Sequence, residues 1–172
     1  MIKNVLLGLI LIFYIIMLKS YGQSIKQLDN ELTHMSNKQL QILAKSYLEG
    51  KEYGVGWSLA AIAWKESQAG KYLVNLESKD CGVYQKNIPS YITGLDKKTT
   101  SFLVNITCQE FITNRPLASS VAVSDLLYWK KKRHNNWLKI WASYNCGYKK
   151  HCGKRYANEI RKRIIVLKRY IK

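Results

Sequence analysis

The feature that most constrains the fold of this 172-residue chain is an unbroken apolar run, Leu59–Trp64, that leads almost directly into Glu66. Gly54 and Gly56 precede the run and mark its start. Because the apolar side is broad, we expect a helix that is buried at the centre of the molecule. A carboxyl group at the end of such a helix is costly to ionise, since apolar surroundings raise its pKa. Glu66 is therefore a candidate general acid.

Residues 1–22 have the pattern of an export signal. Lys3 supplies a positive charge, Val5–Leu18 is almost entirely apolar, and Ser20 and Gly22 offer small residues for a signal peptidase. The run is shorter than the roughly 20 residues of a transmembrane helix. We expect a cleaved signal peptide, with an uncleaved membrane anchor over residues 3–19 as the alternative. Either interpretation exports the rest of the chain, so that it is periplasmic or secreted, or held at the inner membrane.

The rest of the chain predicts a linker over residues 23–35 and a single domain over residues 36–172, which is long enough for one core. Gly70–Ser101 has weak periodicity, so we expect loops and short extended pieces there. The fold class is mostly α (α+β), one helical domain with a small irregular or β lobe. Capping residues and apolar spacing predict helices that begin at or near Ser36, Gly56, Phe102, Ser119 or Ser120, Trp137 and Lys154.

If the chain is exported, its four cysteines are expected to form up to two disulfides, because they are an even number in an oxidising compartment. Cys81, Cys108, Cys146 and Cys152 allow three pairings, and the sequence does not choose among them. One of the three closes a short loop between Cys146 and Cys152 and leaves Cys81 with Cys108. A zinc site that includes His151 is a competing interpretation, but the cysteine spacing matches no C-x-x-C pattern.

Basic residues outnumber acidic ones by 28 to 11, which gives a formal net charge of +17. Such an excess concerns partners and solubility rather than fold. Nucleic acid, a membrane surface and an anionic wall polymer would all match it, but an export signal argues against nucleic acid. The C-terminal helix carries most of its Lys and Arg residues on one face, and we expect this face to meet the membrane surface or the wall polymer.

Three short motifs then occur in one order along the chain: Glu66–Ser67, Gly82-x-x-Gln85 and Ala142-Ser-Tyr-Asn-Cys-Gly147. Their order and spacing resemble the catalytic domain of lytic transglycosylases of the SLT type, in the lysozyme-like superfamily. That family shows Glu-Ser, Gly-Leu-Met-Gln and Ala-Tyr-Asn-Ala-Gly, and then a Tyr four residues before an aliphatic residue. The last pair corresponds here to Tyr156 and Ile160, and the resemblance covers roughly residues 40–167.

The resemblance implies a role for each matching residue. Glu66 would be the single catalytic acid and base. Asn145 would shape the turn that presents Tyr144, and either Asn75 or Ser78 would be the polar loop residue that helps to polarise the substrate. The full set that would bind the glycan or line its cleft is Ser67, Asn75, Ser78, Gln85, Tyr144, Asn145 and Tyr156.

The sequence departs from the family pattern near these motifs. Val83–Tyr84 stands where Leu-Met is usual, and Ser143 and Cys146 replace small residues of the Tyr-Asn motif. The acid is intact, so the departures concern contacts with the sugar units. Gly82 would allow a close backbone approach that no side chain permits.

The activity that the resemblance implies is cleavage of the β-1,4 bond between N-acetylmuramic acid and N-acetylglucosamine in peptidoglycan, with a 1,6-anhydro end. Glycosidic cleavage usually needs two carboxylates, and the candidates beside Glu66 are Glu77 and Asp80. If neither faces the acid, the N-acetyl group and the C6 hydroxyl of the sugar supply the second role. A hydrolytic muramidase, or a non-catalytic basic protein that binds wall or nucleic acid, is the alternative. We expect a monomer without metal or nucleotide cofactor.

Overall fold

The structure is a computed structural model that describes residues 2–149 and 152–171, so His151 lies outside the described residues. The chain divides into two compact units, Met1–Met35 and Ser36–Lys172. The described elements are α1 (Ile2–Thr33), α2 (Asn37–Lys51), α3 (Gly56–Ser67), β1 (Val74–Asn75), β2 (Asp80–Cys81), β3 (Lys86–Asn87), α4 (Ile88–Thr93), α5 (Ser101–Thr113), α6 (Arg115–Lys132), α7 (Trp137–Cys146) and α8 (Lys154–Tyr170).

The first unit is built on α1. The segment expected to be a linker, residues 23–35, is helical up to Thr33. Its sequence contains neither glycine nor proline, so nothing interrupts the backbone hydrogen bonds of the helix. Among the residues that the structure describes, no helix has both the length and the apolar composition needed to cross a membrane.

The second unit is organised around α3, as the apolar run predicted. Every residue of Leu59–Trp64 has an exposed fraction of 0%. The helix packs against α2 on one side and α8 on another. A Cβ atom added to Gly50 of α2 would lie 2.9 Å from the Cα atom of Gly56, so these two helices touch backbone to backbone. This contact places α3 at the centre of the unit.

The predicted starts of two helices had different outcomes. The Ser36 side chain caps α2, where its hydroxyl accepts a hydrogen bond from the backbone N–H of Gln39. In contrast, α6 begins at Arg115, ahead of the expected cap at Ser119 or Ser120. Asn114 is the actual cap, because its side-chain oxygen accepts a hydrogen bond from the backbone N–H three residues later.

The expected irregular lobe contains a small antiparallel sheet in the order β1-β2-β3, followed by α4. Val74 pairs with Cys81, and Cys81 also pairs with Lys86. A disulfide joins Cys81 of β2 to Cys108 of α5, and a second joins Cys146 to Cys152. The fold is thus mostly helical with a small β lobe, as expected for a lysozyme-like domain.

Candidate active site

Glu66 lies in the last turn of α3, where the buried helix reaches the surface. Gln68 ends the helix in a left-handed conformation, with φ 48°, and its N–H donates to the carbonyl of Ala63. The helix therefore stops within two residues of the carboxyl group. Glu66 is half-buried, because α3 delivers it from the core to the edge of the β lobe.

The surroundings of Glu66 raise its pKa above the ordinary value of a glutamate. Burial is the largest cause, since it disfavours the charged carboxylate, and the negative charge of Asp80 acts in the same direction. The Tyr156 hydroxyl, Lys65 and Arg163 act in the opposite direction without cancelling the effect of burial. A carboxyl group in this environment keeps its proton to a higher pH, which is the property of a general acid.

Tyr156 is a polar side chain from another helix that acts on Glu66. It lies in the first turn of α8 and is 7% exposed, and burial and the neighbouring carboxylate both raise the pKa of its phenol well above the usual range. Its hydroxyl oxygen is buried and, among the described residues, has no hydrogen-bond partner with standard geometry. The hydroxyl nevertheless acts on Glu66, since it favours the carboxylate form and lowers the pKa of that group.

Tyr144 brings a second phenol to the same place from α7. Burial raises its pKa well above the usual range, and the charges of Asp125 and Glu66 act in the same direction. The neighbouring Ser143 is buried. Its hydroxyl accepts a hydrogen bond of 2.8 Å from Nε of Arg133, the residue that follows α6. This bond fixes the helix turn that carries Tyr144. The acid and the two tyrosines of the predicted motifs therefore converge.

Ser67 takes a role that differs from the predicted contact with substrate. It is fully buried, and its hydroxyl lies 2.8 Å from the carbonyl oxygen of Val83 and 3.1 Å from that of Ala63. The same oxygen accepts a hydrogen bond from the N–H of Gly70. Ser67 thus holds the end of α3 against the turn between β2 and β3. In this arrangement it positions the neighbouring Glu66 and does not itself face the substrate.

The turn between β2 and β3 carries Gln85, which is half-buried. Its side-chain NH2 group donates to the carbonyls of Gly82 at 2.9 Å and Tyr72 at 3.4 Å, so its side-chain oxygen is the atom left to accept a hydrogen bond from a ligand. Gly82 has φ +80°, and a Cβ atom there would lie 2.6 Å from the carbonyl oxygen of Phe111. The predicted close approach is therefore a contact between this turn and α5.

The three other predicted binding residues are exposed. Asn75 uses its side-chain oxygen to accept hydrogen bonds from the N–H groups of Glu77 and Ser78, which shapes the turn between β1 and β2. The Ser78 hydroxyl donates to Asp80 at 2.6 Å. Asn145 lies inside α7, whose end is formed by Gly147 through its N–H bond to Ser143. Asn75 and Ser78 thus stabilise the turn between β1 and β2, and Asn145 is part of a helix rather than of the predicted turn.

Sequence reasoning missed the charged groups that surround the acid. Lys65 forms an ion pair of 2.6 Å with Glu159, which joins α3 to α8 next to Glu66. Glu159 lies three residues after Tyr156, so the two share a helix face, and this spacing is the signal that could have found it. Asp80 was one of two candidates for a second carboxylate. It acts on the pKa of Glu66, whereas Glu77 is not among the groups that shift it.

No group of three or more His, Cys, Asp or Glu side chains within the described ranges could hold a metal ion. Cys146 and Cys152, which the zinc alternative would use, are joined to each other.

The chain is similar to known proteins. The family model described as "Transglycosylase SLT domain" matches residues 48–165. A protein of Enterobacteria phage T4, described as "Uncharacterized 20.7 kDa protein in vs-regB intergenic region", is 27% identical over 152 residues, which cover 77% of this chain and 82% of the phage protein. No solved structure matches the chain. The matched range contains Glu66, Gln85, Tyr144 and Tyr156.

Proposed function

The chain belongs to the transglycosylase SLT domain family, and we propose that it is a peptidoglycan lytic transglycosylase with Glu66 as its single acid and base. It cleaves the β-1,4 bond between N-acetylmuramic acid and N-acetylglucosamine and leaves a 1,6-anhydro end on the muramyl sugar. The observation that carries this proposal is the raised pKa of Glu66 at the end of a buried helix, beside the phenols of Tyr144 and Tyr156.

The reaction uses one carboxyl group twice. Protonated Glu66 gives its proton to the glycosidic oxygen while the bond from that oxygen to C1 of the muramyl sugar breaks. The N-acetyl oxygen of the same sugar bonds to C1 as the leaving group departs. Glu66, now a carboxylate, takes the proton of the C6 hydroxyl, whose oxygen attacks C1 and displaces the N-acetyl oxygen. The acid regains its proton, and no water is consumed.

Tyr156 supports both halves of this cycle. Its hydroxyl has an unused donor next to Glu66, which stabilises the carboxylate when it forms. Burial keeps the phenol protonated, because its pKa lies well above the usual range. Tyr156 is therefore a neutral donor beside a carboxyl group whose pKa is raised.

A hydrolytic muramidase is the second candidate, and Asp80 is the observation that favours it. Its charge acts on Glu66, and its carboxylate is held in place by Ser78 Oγ at 2.6 Å and by Asn87 Nδ2 at 2.9 Å. A fixed second carboxylate could activate water in place of the C6 hydroxyl. The products then carry a reducing end rather than an anhydro ring.

Mass spectrometry of muropeptides separates these two reactions. Purified sacculi are incubated with the full chain in water enriched in ¹⁸O, and the released fragments are weighed. Anhydro ends, lighter by one water and free of ¹⁸O, are expected from the transglycosylase. Reducing ends that contain ¹⁸O would establish the muramidase, and no release at all would leave a protein that binds the wall without cleaving it.

We also propose that the domain acts outside the cytoplasm. Residues 1–22 direct export, and the basic residues of α8 attract the protein to anionic wall polymer or membrane headgroups. Cell fractionation together with the intact mass of the mature protein tests this. Loss of residues 1–22 indicates cleavage, and a full-length protein in the membrane fraction indicates an anchor.

A further inference from the structure

A cavity lies at the N-terminal end of α3, away from Glu66. Its volume is about 400 Å³, and it lies among α2, α3, α7 and α8. Trp57 in its wall precedes Glu66 by nine residues, which at about 1.5 Å per residue separates the two positions by about 13 Å along the helix. The residues that matter for its chemistry are Tyr47, Lys51, Trp57, Trp137, Trp141 and Lys168.

Aromatic rings form rigid walls in this cavity. The rings of Tyr47 and Trp57 have centroids 4.4 Å apart, and those of Trp137 and Trp141 have centroids 5.8 Å apart. Trp141 is buried, and its Nε1–H donates to the Ser58 hydroxyl at 2.9 Å. The other three rings are only half-buried. Because each ring is held by another ring or by a hydrogen bond, their open faces are fixed in place before any ligand arrives.

Lysines lie beside these rings. Lys51 and Lys168 line the cavity, and no carboxylate of a described residue does. Lys168 Nζ lies 5.7 Å from the Trp57 ring centroid, and Lys130 Nζ lies 6.0 Å from the Trp137 ring centroid. Within the described part of the chain, none of the three forms an ion pair with a carboxylate. The cavity therefore combines apolar ring faces with positive charge.

This combination selects a ligand with a flat apolar face and negative groups. One face of a pyranose ring presents C–H groups that stack on aromatic rings, and carboxylates pair with ammonium groups. A muramyl unit of peptidoglycan has both features, because its sugar carries a peptide stem with free carboxylates. A purely apolar ligand would leave the lysines unused, and an oligonucleotide conflicts with the export signal.

We infer that the cavity at the N-terminal end of α3 binds a second muramyl unit of peptidoglycan, with its sugar on Trp57 and its stem carboxylates on Lys51 and Lys168. This inference rests on the proposed function, because the ligand is part of the proposed substrate. The site is not catalytic. It attaches the protein to the glycan while Glu66 acts about 13 Å farther along α3, so it raises residence on the polymer without changing the chemistry.

Binding to a soluble muropeptide tests the site apart from cleavage. The probes are the disaccharide tetrapeptide of peptidoglycan and N,N′-diacetylchitobiose, which lacks every carboxylate, and calorimetry measures their binding to the full chain with Glu66→Gln. In this background, Lys51→Gln with Lys168→Gln is compared with Lys45→Gln and Lys154→Gln. The control pair removes the same charge from exposed positions on the same two helices, away from the cavity.

We expect the cavity pair to weaken one class of muropeptide sites about tenfold relative to the control pair, and to leave chitobiose binding unchanged. A Trp57→Leu variant should weaken both probes. Equal muropeptide affinity in the two double variants overturns the inference, as does an equal loss for chitobiose. Binding to anionic vesicles or single-stranded oligonucleotide that falls in the cavity pair, without a fall for muropeptide, overturns it too. Cleavage is measured separately, in variants that retain Glu66. If no cleavage occurs, only the proposed function is refuted.

Discussion

The two ends of α3 place their functional side chains in opposite environments, one buried and one exposed to water. At the C-terminal end, Glu66 is withdrawn from water until its pKa rises, and the two nearby phenols are kept neutral by burial. At the N-terminal end, Lys51 and Lys168 are exposed, and aromatic rings line the cavity beside them. At one end, burial raises the pKa of a carboxyl group. At the other end, exposed lysines and aromatic rings form the proposed binding site. The fully buried middle of α3 holds the two at a fixed separation.

Replacing the acid is the largest perturbation of this contrast. Glu66→Gln should lower the rate of glycan cleavage by about three orders of magnitude, because a positioned general acid contributes on that scale. Binding to sacculi should be retained, since the other end of α3 is unchanged. Chromatography of released muropeptides and co-sedimentation with sacculi measure the two properties. Glu77→Gln, an exposed carboxyl in the neighbouring loop, is the matched control and should cleave normally.

The same variant tests the cost of burying the acid. The pKa of Glu66 is higher in the folded protein than in the unfolded chain, so the folded protein binds more protons between the two values. This contribution to stability is present below the unfolded pKa and is lost as pH rises through the folded pKa. Glu66→Gln should therefore unfold at the same or a higher temperature at pH 7. A large loss of stability in Glu66→Gln would mean that the carboxylate is paired rather than desolvated.

The sequence predicted the parts of the site that depend on local pattern. The apolar run before Glu66, the Ser36 cap and the stripe that includes Tyr156 and Ile160 are all read from residues within a few turns of one helix. The order of the motifs was enough to predict the family and the fold. These features need no knowledge of how distant segments meet.

The rest depends on contacts between distant segments. Tyr84 reaches Ser46 and Ser119 with hydrogen bonds of 2.9 Å, and burial raises its pKa to about 12, yet nothing in the local sequence joins these three positions. The influence of Asp80 on Glu66 likewise requires the β lobe to fold back on α3. Ser67 was expected in the cleft because its motif is there, whereas its burial comes from the turn that packs over it.

The two disulfides close chain loops of different lengths, one in the β lobe and one at the end of α7. Cys81 and Cys108 are 27 residues apart and tie β2 to α5, whereas Cys146 and Cys152 are 6 apart. Loop-closure entropy then predicts that replacing the first pair by serine costs about 3–4 kcal/mol of unfolding free energy, and the second pair about 2 kcal/mol. Urea denaturation measures both. The reverse order would show that the lobe is held mainly by packing.

The backbone is packed more tightly near the C-terminal end of α3 than near its N-terminal end. Alanine substitutions at Gly82 and Gly54 test this difference. Gly82→Ala should cost about 3 kcal/mol, because the residue has φ +80° and the new Cβ would meet the Phe111 carbonyl. Gly54→Ala near the N-terminal end has φ +68° and meets nothing closer than Lys130 Nζ at 3.6 Å, so only conformational strain of about 1 kcal/mol applies. Thermal unfolding compares them. Equal losses would show that the turn yields without strain.

The smallest expected effects are shifts in the pH dependence of cleavage. Activity needs protonated Glu66, so it falls as pH rises through the pKa of that carboxyl. Tyr156→Phe removes an interaction that lowers this pKa, so the alkaline limb should move to higher pH. Asp80→Asn removes a charge that raises it, so the limb should move to lower pH. Initial rates of muropeptide release, measured from about pH 4, near the ordinary pKa of a glutamate, upward until activity is lost, give both shifts.

The opposite directions make this pair more informative than either variant alone. A general change in packing near Glu66 would move both limbs the same way, which would contradict the assignment of burial and charge as separate causes. Asp80 also distinguishes the two reactions. In a transglycosylase, Asp80→Asn shifts the profile and leaves the maximal rate within about tenfold, since the sugar supplies the nucleophile. In a muramidase, loss of the base lowers that rate by about two to four orders of magnitude, and the residual products carry reducing ends.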